Sequence, residues 1–502
     1  MYDFSERDKR NFINEYVKAL NNNRGVLFAG AGLSVPSGGI NWRDLLREEA
    51  ASIDIDVDRE NDLISVAQYI YNESGTRQTI TQLLKNEISK RGRINVNHEV
   101  LAVLPIKKVW TTNYDDYLER GFSEAGKVVD LKKSVQDMAT EQDDTDVTVY
   151  KMHGDIGIPN STVLLKDDYE IYDRKNEQFT KTLQIDLLSN TFLFIGFSFD
   201  DPNLESILSK VRIMLEDNPR RHYCLMKKVD KSDSKFSHLS EEEKENEYQY
   251  EWNKQQLRIA DLMRYGIKAI LIKRYEEITE ILNAIKQKYL SDKIFISGAY
   301  SEVESFLGYT GDEAERVANK FCERLGETLL SENFQVSSGL GLGVGRNIIT
   351  GYLNEEAKKG NIRLSSKLII RPFPAQQHEL EQKNYREKIL SECGVSIILF
   401  GNKYENDELI LSSGVRQEYE ISSELGHFII PVGVTKYEAE KIWIKQKSTM
   451  SEHVPNQAVL DHYLNLNNED KKINELIESI VFLLKEYQKN TDQFVSLIEK
   501  GN

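Results

Sequence analysis

Cysteine is the residue whose scarcity excludes most: only Cys224, Cys322 and Cys393 occur among 502 residues, each far from the others. That spacing rules out a CxxC redox pair and a four-thiolate zinc site, and the low count fits a reducing compartment. Long apolar runs are missing as well. The longest, such as Phe192 to Phe197, fall far short of the roughly 18 residues that a membrane span requires. Positive charge is in deficit, with 65 Lys and Arg against 81 Asp and Glu, a formal net charge of −16. Such a surface repels a phosphate backbone, so nucleic acid is not an expected partner. The N-terminus, MYDFSERDKR, is charged rather than apolar, and the expectation is a cytoplasmic protein with no membrane partner.

What is present is ordinary globular material, 40% hydrophobic and 29% charged, in a chain long enough for two to four domains at roughly 100–200 residues each. Short runs rich in Val, Ile and Phe alternate with longer segments of helical period, which predicts parallel sheets covered by helices, an α/β fold. The first series of expected strands is Val26–Ala29, Lys108–Thr111, Val147–Lys151, Phe192–Ile195, His222–Met226 and Ile267–Ile272. The second is Ile294–Ser297, Phe334–Ser337, Lys367–Ile370, Val395–Phe400 and Phe428–Val432. Between them Ile278, Ile281, Leu282 and Ile285 recur at helical spacing. The boundary falls there, giving domains 1–283 and 284–502, both Rossmann-like. Trp42 to about Val103 is helical in pattern and reads as an insert able to wall a pocket. The charged stretch 228–254 is expected to be an exposed loop or helix, and the stripe Ile473, Leu476, Ile477, Ile480, Leu484 is expected to pack within its domain.

In the first half, Gly25-Val26-Leu27-Phe28-Ala29 runs straight into Gly30-Ala31-Gly32-Leu33-Ser34. Glycines there let backbone approach a pyrophosphate, and the amides of a following helix start can bind its charge. Tight turns need glycine for steric reasons too, so the loop alone is weak. Its neighbours strengthen it. A second strand ends at Thr112-Asn113-Tyr114-Asp115, a third at His153-Gly154-Asp155, and a fourth at Gly196-Phe197-Ser198-Phe199-Asp200-Asp201-Pro202-Asn203. Polar groups at the carboxyl ends of successive parallel strands converge where such sheets bind ligands. Histidine, with an ordinary pKa near working pH, can serve as a general base, and an asparagine can hold a sugar hydroxyl or a water. Asp115 can orient a partner or cap the next helix.

These motifs resemble the sirtuin-like family over about residues 10–275: the Gly30-Ala31-Gly32-Leu33-Ser34 loop with Ser37-Gly38-Gly39, the Thr112-Asn113-Tyr114-Asp115 strand end, and the His153-Gly154 dipeptide. The resemblance implies NAD as substrate, with Asn113, His153 and Asp115 catalytic and Gly30, Ala31, Gly32, Ser34, Asn113, Ser198 and Asp200 contacting it. Sirtuin deacylases carry a four-cysteine zinc module and a Pro-Asp-Phe-Arg segment after the loop. This chain has no such cysteines and reads Ile40-Asn41-Trp42-Arg43, which shifts the resemblance to the bacterial branch that destroys NAD, with no metal.

In the second half, Ile296-Ser297-Gly298-Ala299 ends a strand, and Ser338-Gly339-Leu340-Gly341-Leu342-Gly343-Val344-Gly345-Arg346 precedes the expected helix Asn347–Lys358. Backbone this bare can wrap phosphates or ribose edges. Arg371 stands at another strand end before Pro372, able to fork onto phosphate, and Glu418 offers a carboxylate for ribose hydroxyls. Together these segments resemble the SLOG family of nucleotide-sensing domains over about residues 293–485. The order of the two halves is similar to the NAD-cleaving effectors of bacterial Thoeris anti-phage defence. That resemblance implies a homotetramer able to form filaments, switched on by a cyclic ADP-ribose isomer made by a TIR-domain partner. It places Ser297, Gly298, Gly339, Gly341, Arg371, Lys388 and Glu418 at the signal site. Two alternatives stay open: a zinc-independent protein deacylase or ADP-ribosyltransferase, and a non-catalytic nucleotide-binding switch.

Overall fold

The computed structural model describes residues 6–491, apart from 40–41, 90–91, 156, 159–161, 200, 216–219, 238, 361–366, 373–378 and 454. The chain divides into two compact units, Met1–Lys286 and Gln287–Asn502, parting within the helix Glu277–Leu290.

The first unit is built on β1 (Gly25–Ala29), β2 (Lys108–Thr111), β3 (Val129–Lys132), β4 (Val147–Lys151), β5 (Thr191–Ile195), β6 (His222–Lys227) and β7 (Ile267–Ile272). They form one parallel sheet in the order β3-β4-β2-β1-β5-β6-β7. Every residue of β1 is buried, as expected of a strand apolar at each position and covered on both faces. Its register sets Phe28 between Trp110 and Phe194. The chain leaves β1 toward β2 on one side and returns to β5 on the other. The switch point, where parallel sheets bind ligands, therefore lies at the carboxyl ends of β1, β2 and β5. Strand β3, an edge strand, is an addition to the strands read from the sequence.

The expected helical insert is present as Trp42–Ser52, Leu63–Ser74, Gln78–Ser89 and Val96–Val103. Asp62 caps the second, accepting from the Ser65 amide at 3.0 Å, and Gly75 closes it at φ 65°. Leu45, Leu46, Val66, Ile70, Ile80 and Leu84 form a small core with Tyr114, Leu164 and Leu165. The insert is thereby packed against the loops that follow β2 and β4. The charged stretch is largely the long helix Glu241–Arg264, started by a Ser240–Glu243 capping box.

The second unit contains β8 (Lys293–Ala299), the hairpin β9–β10 (Ser305–Phe306, Tyr309–Thr310), β11 (Gln335–Ser338), β12 (Leu368–Ile370), β13 (Val395–Phe400), the hairpin β14–β15 (Asn402–Glu405, Glu408–Leu411) and β16 (Phe428–Pro431). Its parallel sheet runs β12-β11-β8-β13-β16, so its own switch point lies between β8 and β13. The tail helix Ile473–Lys489 buries Leu476, Ile477, Ile480 and Leu484 in the core of this unit. None of the described helices is long and apolar enough to cross a membrane.

Candidate functional site

At the switch point of the first unit lies a cavity of about 550 Å³, a size usual for small-molecule sites. Its floor is the glycine loop. Gly30 and Gly32 are pressed so closely on the end of β5 that a Cβ on either would come within 2.4 and 2.8 Å of Gly196 backbone. Their amides donate to the carbonyls of Ile195 and Gly196, each at 2.9 Å. The loop then winds into two short 3₁₀ turns, Ala31–Leu33 and Val35–Ser37, rather than the helix start expected of a phosphate cradle. Glycine here serves close approach of two strand ends, and the amides of Gly30 and Gly32 are engaged by the sheet.

Asn113 is held over this floor. Its backbone amide donates to Thr111 Oγ1 at 3.0 Å, and its side-chain Nδ2 donates to Gly30 O at 3.1 Å and Ser34 Oγ at 3.2 Å. Both donor bonds use the nitrogen, which leaves the carbonyl oxygen as the group able to meet a ligand. Asp115 also bonds to Ser34, and accepts from the Tyr117 amide at 3.4 Å. Burial raises its carboxyl above the ordinary range, against the pull of Ser34 and Lys151. Lys151, fully buried, ties the turn down: its ammonium donates to the carbonyls of Tyr114 (3.2 Å) and Asp115 (2.6 Å), and to Glu119 (2.9 Å) and Asp155 (2.7 Å). Burial works against that charge, but the two carboxylates outweigh it and raise its pKa.

His153 follows β4 and lines the same cavity. Its ring meets Tyr169 and Tyr172 edge to face, at 5.5 and 6.3 Å between centroids. Its Nε2 lies 3.0 Å from Asp201 Oδ2, close but poorly aligned for a linear hydrogen bond. Two further histidines of this unit, His98 and His222, are core residues: burial drives His98 down to about 4, and His222 accepts from the Phe192 amide at 3.1 Å.

The structure thus brings Ala31, Gly32, Ser34, Asn113, Asp115, His153 and Ser198 around one cavity, with Gly30 beneath it. Ser198 is exposed at the rim, its carbonyl held by Arg258, and Asp200 lies outside the described residues. Sequence reasoning gave no site role to Asp201, Tyr169, Trp42, Leu63 or Ile64, all of which line the cavity. The insert supplies the last three. The Asp-Pro pair at 201–202 was a legible signal, since aspartate before proline marks a helix start.

In the second unit, Ser297 on β8 donates to Glu418 Oε2 at 2.5 Å. Arg386 Nε stands 3.8 Å from Glu418 Oε1. Burial pushes the Glu418 carboxyl up to about 7, against Ser297 and Arg386. The glycines are packed: a Cβ on Gly298 would meet Leu399 O at 2.5 Å, and one on Gly341 would meet Gly298 O at 2.0 Å. Gly339 is buried beside them. Arg371, half exposed, is paired with Glu392 at 3.2 Å. Lys388 is exposed on the helix Glu379–Ser391, and Arg386 on the same helix is the cation that reaches Glu418. Among the described residues no group of three His, Cys, Asp or Glu side chains is placed to hold a metal ion.

Comparison with known proteins finds a family match in each half of the chain. Residues 107–259 match the SIR2-like domain family, and residues 277–487 match the Sir2- and TIR-associating SLOG family. The chain is 41% identical over 441 residues to NAD(+) hydrolase ThsA of Cytobacillus dafuensis, covering 87% of this chain and 88% of that one. It is 40% identical over 474 residues to NAD(+) hydrolase ThsA of Bacillus cereus (strain MSX-D12), covering 94% and 96%. Against NAD(+) hydrolase ThsA of Enterococcus faecium it is 37% identical over 487 residues, covering 96% and 100%. The chain belongs to the ThsA family of NAD(+) hydrolases, a SIR2-like domain followed by a SLOG domain.

Proposed function

We propose that this enzyme, an NAD+ hydrolase, breaks the nicotinamide–ribose bond in the cavity at the carboxyl ends of β1, β2 and β4, with Asn113 and His153 as its catalytic residues. The observation that carries this is the convergence on one cavity of Asn113, with its amide nitrogen fixed by Gly30 and Ser34, and His153, buried against Tyr169 and Tyr172. Nicotinamide leaves with the bonding electron pair, so positive charge develops at the ribose carbon, and water must reach that carbon from the other side. Asn113 has its oxygen available for a ribose hydroxyl or the incoming water. His153 takes the proton that the water or hydroxyl loses. Asp115, with its carboxyl raised by burial and bonded to Ser34, orients that serine and through it the Asn113 amide. Ala31, Gly32 and Ser34 line the floor on which NAD+ lies, and Ser198 closes the rim.

The second unit reads the signal. A cyclic ADP-ribose isomer, made by a TIR-domain partner, binds at the switch point of its sheet, where Ser297 and Glu418 meet sugar hydroxyls and Arg371 meets phosphate. Binding there releases NAD+ cleavage, which depletes the cell during phage infection. The description of the matched family as Sir2- and TIR-associating supports the partner, and the ThsA kinship supports the defence role. Assembly as a homotetramer able to extend into filaments, in the cytoplasm, belongs to the same reading. One assay tests it: nicotinamide release by the purified chain, with ADP-ribose isomers added one at a time and with or without an acyl-lysine peptide. Release that an isomer stimulates and the peptide does not require supports the reading. Dependence on the peptide would turn it to a deacylase, and no release under any condition would leave only a binding switch.

A further inference from the structure

We propose that Asp201 is a positioning residue for NAD+ cleavage, one carboxylate oxygen capping the helix Pro202–Leu215 while the other stands beside His153 Nε2 as the counter-charge for its protonated ring. The inference rests on the reading of His153 as the proton acceptor. Asp201 precedes Pro202, and its Oδ1 accepts from the amides of Asn203 at 2.9 Å and Leu204 at 3.1 Å, which anchors the carboxylate to a helix start. Oδ2 is then carried to 3.0 Å from His153 Nε2. Both side chains are almost wholly buried, 9% and 4% exposed, so little solvent competes for the contact. The contact is too poorly aligned for a linear hydrogen bond, so what Oδ2 offers the ring is negative charge at close range, which favours the protonated imidazole.

The titratable groups facing His153 are Asp201 from the helix start, Tyr114 from the turn after β2, and Tyr169 and Tyr172 from the segments after β4. Burial holds all three phenols well above their ordinary value, so they stay neutral. Asp201 is the charged one. Burial pushes its carboxyl up, but His153 and the amides of Leu204 and Asn203 outweigh that and leave it below the ordinary range. When the attacking water loses its proton to His153, the resulting imidazolium is buried. Asp201 supplies the negative charge that stabilises it until the proton passes to solvent.

A capping role alone makes a different forecast, because asparagine caps a helix as well as aspartate does. Asp201→Asn keeps the acceptor for the two amides and removes only the charge beside Nε2. Nicotinamide release from NAD+ by the full chain, without and with added cyclic ADP-ribose, is measured for the wild type, Asp201→Asn and His153→Ala. We expect Asp201→Asn to keep its thermal transition, to lose roughly 100-fold in kcat with KM within about threefold, and to move the acid limb of its pH–rate profile to lower pH, since the imidazolium has lost its counter-charge. An Asp201→Asn enzyme within about threefold of wild-type kcat with an unmoved profile overturns the proposal. Should that variant lose its thermal transition, Asp201→Ser, which also caps a helix, is read the same way. Collapse of both marks Asp201 as purely structural and overturns the proposal as well. Full turnover by His153→Ala would instead remove the reading of His153 on which the proposal rests, and would do so whatever Asp201→Asn shows.

Discussion

Glu418 gives the second unit a pH dependence whose size follows from its surroundings. The carboxyl is wholly buried on the helix Ser413–Glu424, and burial raises it from an ordinary 4.5 to about 7, despite the Ser297 hydroxyl and the Arg386 guanidinium. The folded state therefore binds this proton more tightly than the unfolded chain. Below pH 4.5 both states are protonated and the residue costs nothing; as pH rises through 4.5 toward 7 the folded state is progressively penalised, by about 3 kcal/mol once both are ionised. Roughly 2 kcal/mol of that develops between pH 5.5 and 8. Glu418→Gln keeps the volume and an acceptor for Ser297 but cannot ionise. Its advantage in the melting temperature of the second unit over wild type should thus grow by about 4–8 °C between pH 5.5 and 8, at about 2–4 °C per kcal/mol for a domain of this size. Scanning calorimetry of both proteins across that range checks this. A Tm difference that does not change with pH, or one that shrinks toward pH 8, refutes the reasoning.

Removing Asn113 tests the first unit. Asn113→Ala gives up two side-chain hydrogen bonds, worth about 1–3 kcal/mol together, and should cut nicotinamide release by roughly two orders of magnitude. His153→Ala should lose as much through the absent proton acceptor. A folded variant of either kind with near-normal turnover would sink its assignment. Arg371→Ala gives up an exposed ion pair with Glu392, so its melting temperature should hardly move, while calorimetric titration with cyclic ADP-ribose isomers should show binding lost; equal affinity in wild type and variant would refute the contact. Chelation should leave NAD+ cleavage unchanged, because the three cysteines are scattered and buried, with burial pushing the Cys224 and Cys393 thiols up to about 12. Activity lost in chelator and restored by zinc would revive the deacylase alternative.

Both sheets were legible because their strands are apolar on two faces, a pattern that surface loops and amphipathic helices do not produce. Strand β13, Val395–Phe400, is buried at all six positions, and its run of Val, Ile, Leu and Phe has no other reading of that length. Strand β3 escaped notice since Val129, Asp130 and Leu131 are only half buried and the charged Asp130 and Lys132 break its apolar run. The hairpins β9–β10 and β14–β15 carry two and four residues per arm, too few for alternation to show. The insert was legible as helices, yet its contribution to the site was not: Leu63 and Ile64 fall within the helical pattern but line the cavity, a distinction between core and pocket wall that periodicity does not contain.

The site divides along the same line. Asn113 and His153 could be found since each directly follows a buried strand, and strand ends converge by topology. Which neighbour of a strand end faces inward is a matter of local phase, and there the sequence is less direct. In the pair at 200–201, the proline at 202 fixes the second carboxylate as the helix cap, and the cap geometry then turns its free oxygen to His153. The same reasoning separates Arg386 from Lys388. On the helix Glu379–Ser391, Ile389 and Leu390 are buried. Residue 386 precedes them by three and four positions and shares their face, whereas 388 is turned about 100–200° away from it and stays in solvent. A cation for Glu418 is therefore found by counting helical turns back from the buried pair, and the count ends on Arg386, whose guanidinium stands 3.8 Å from that carboxylate.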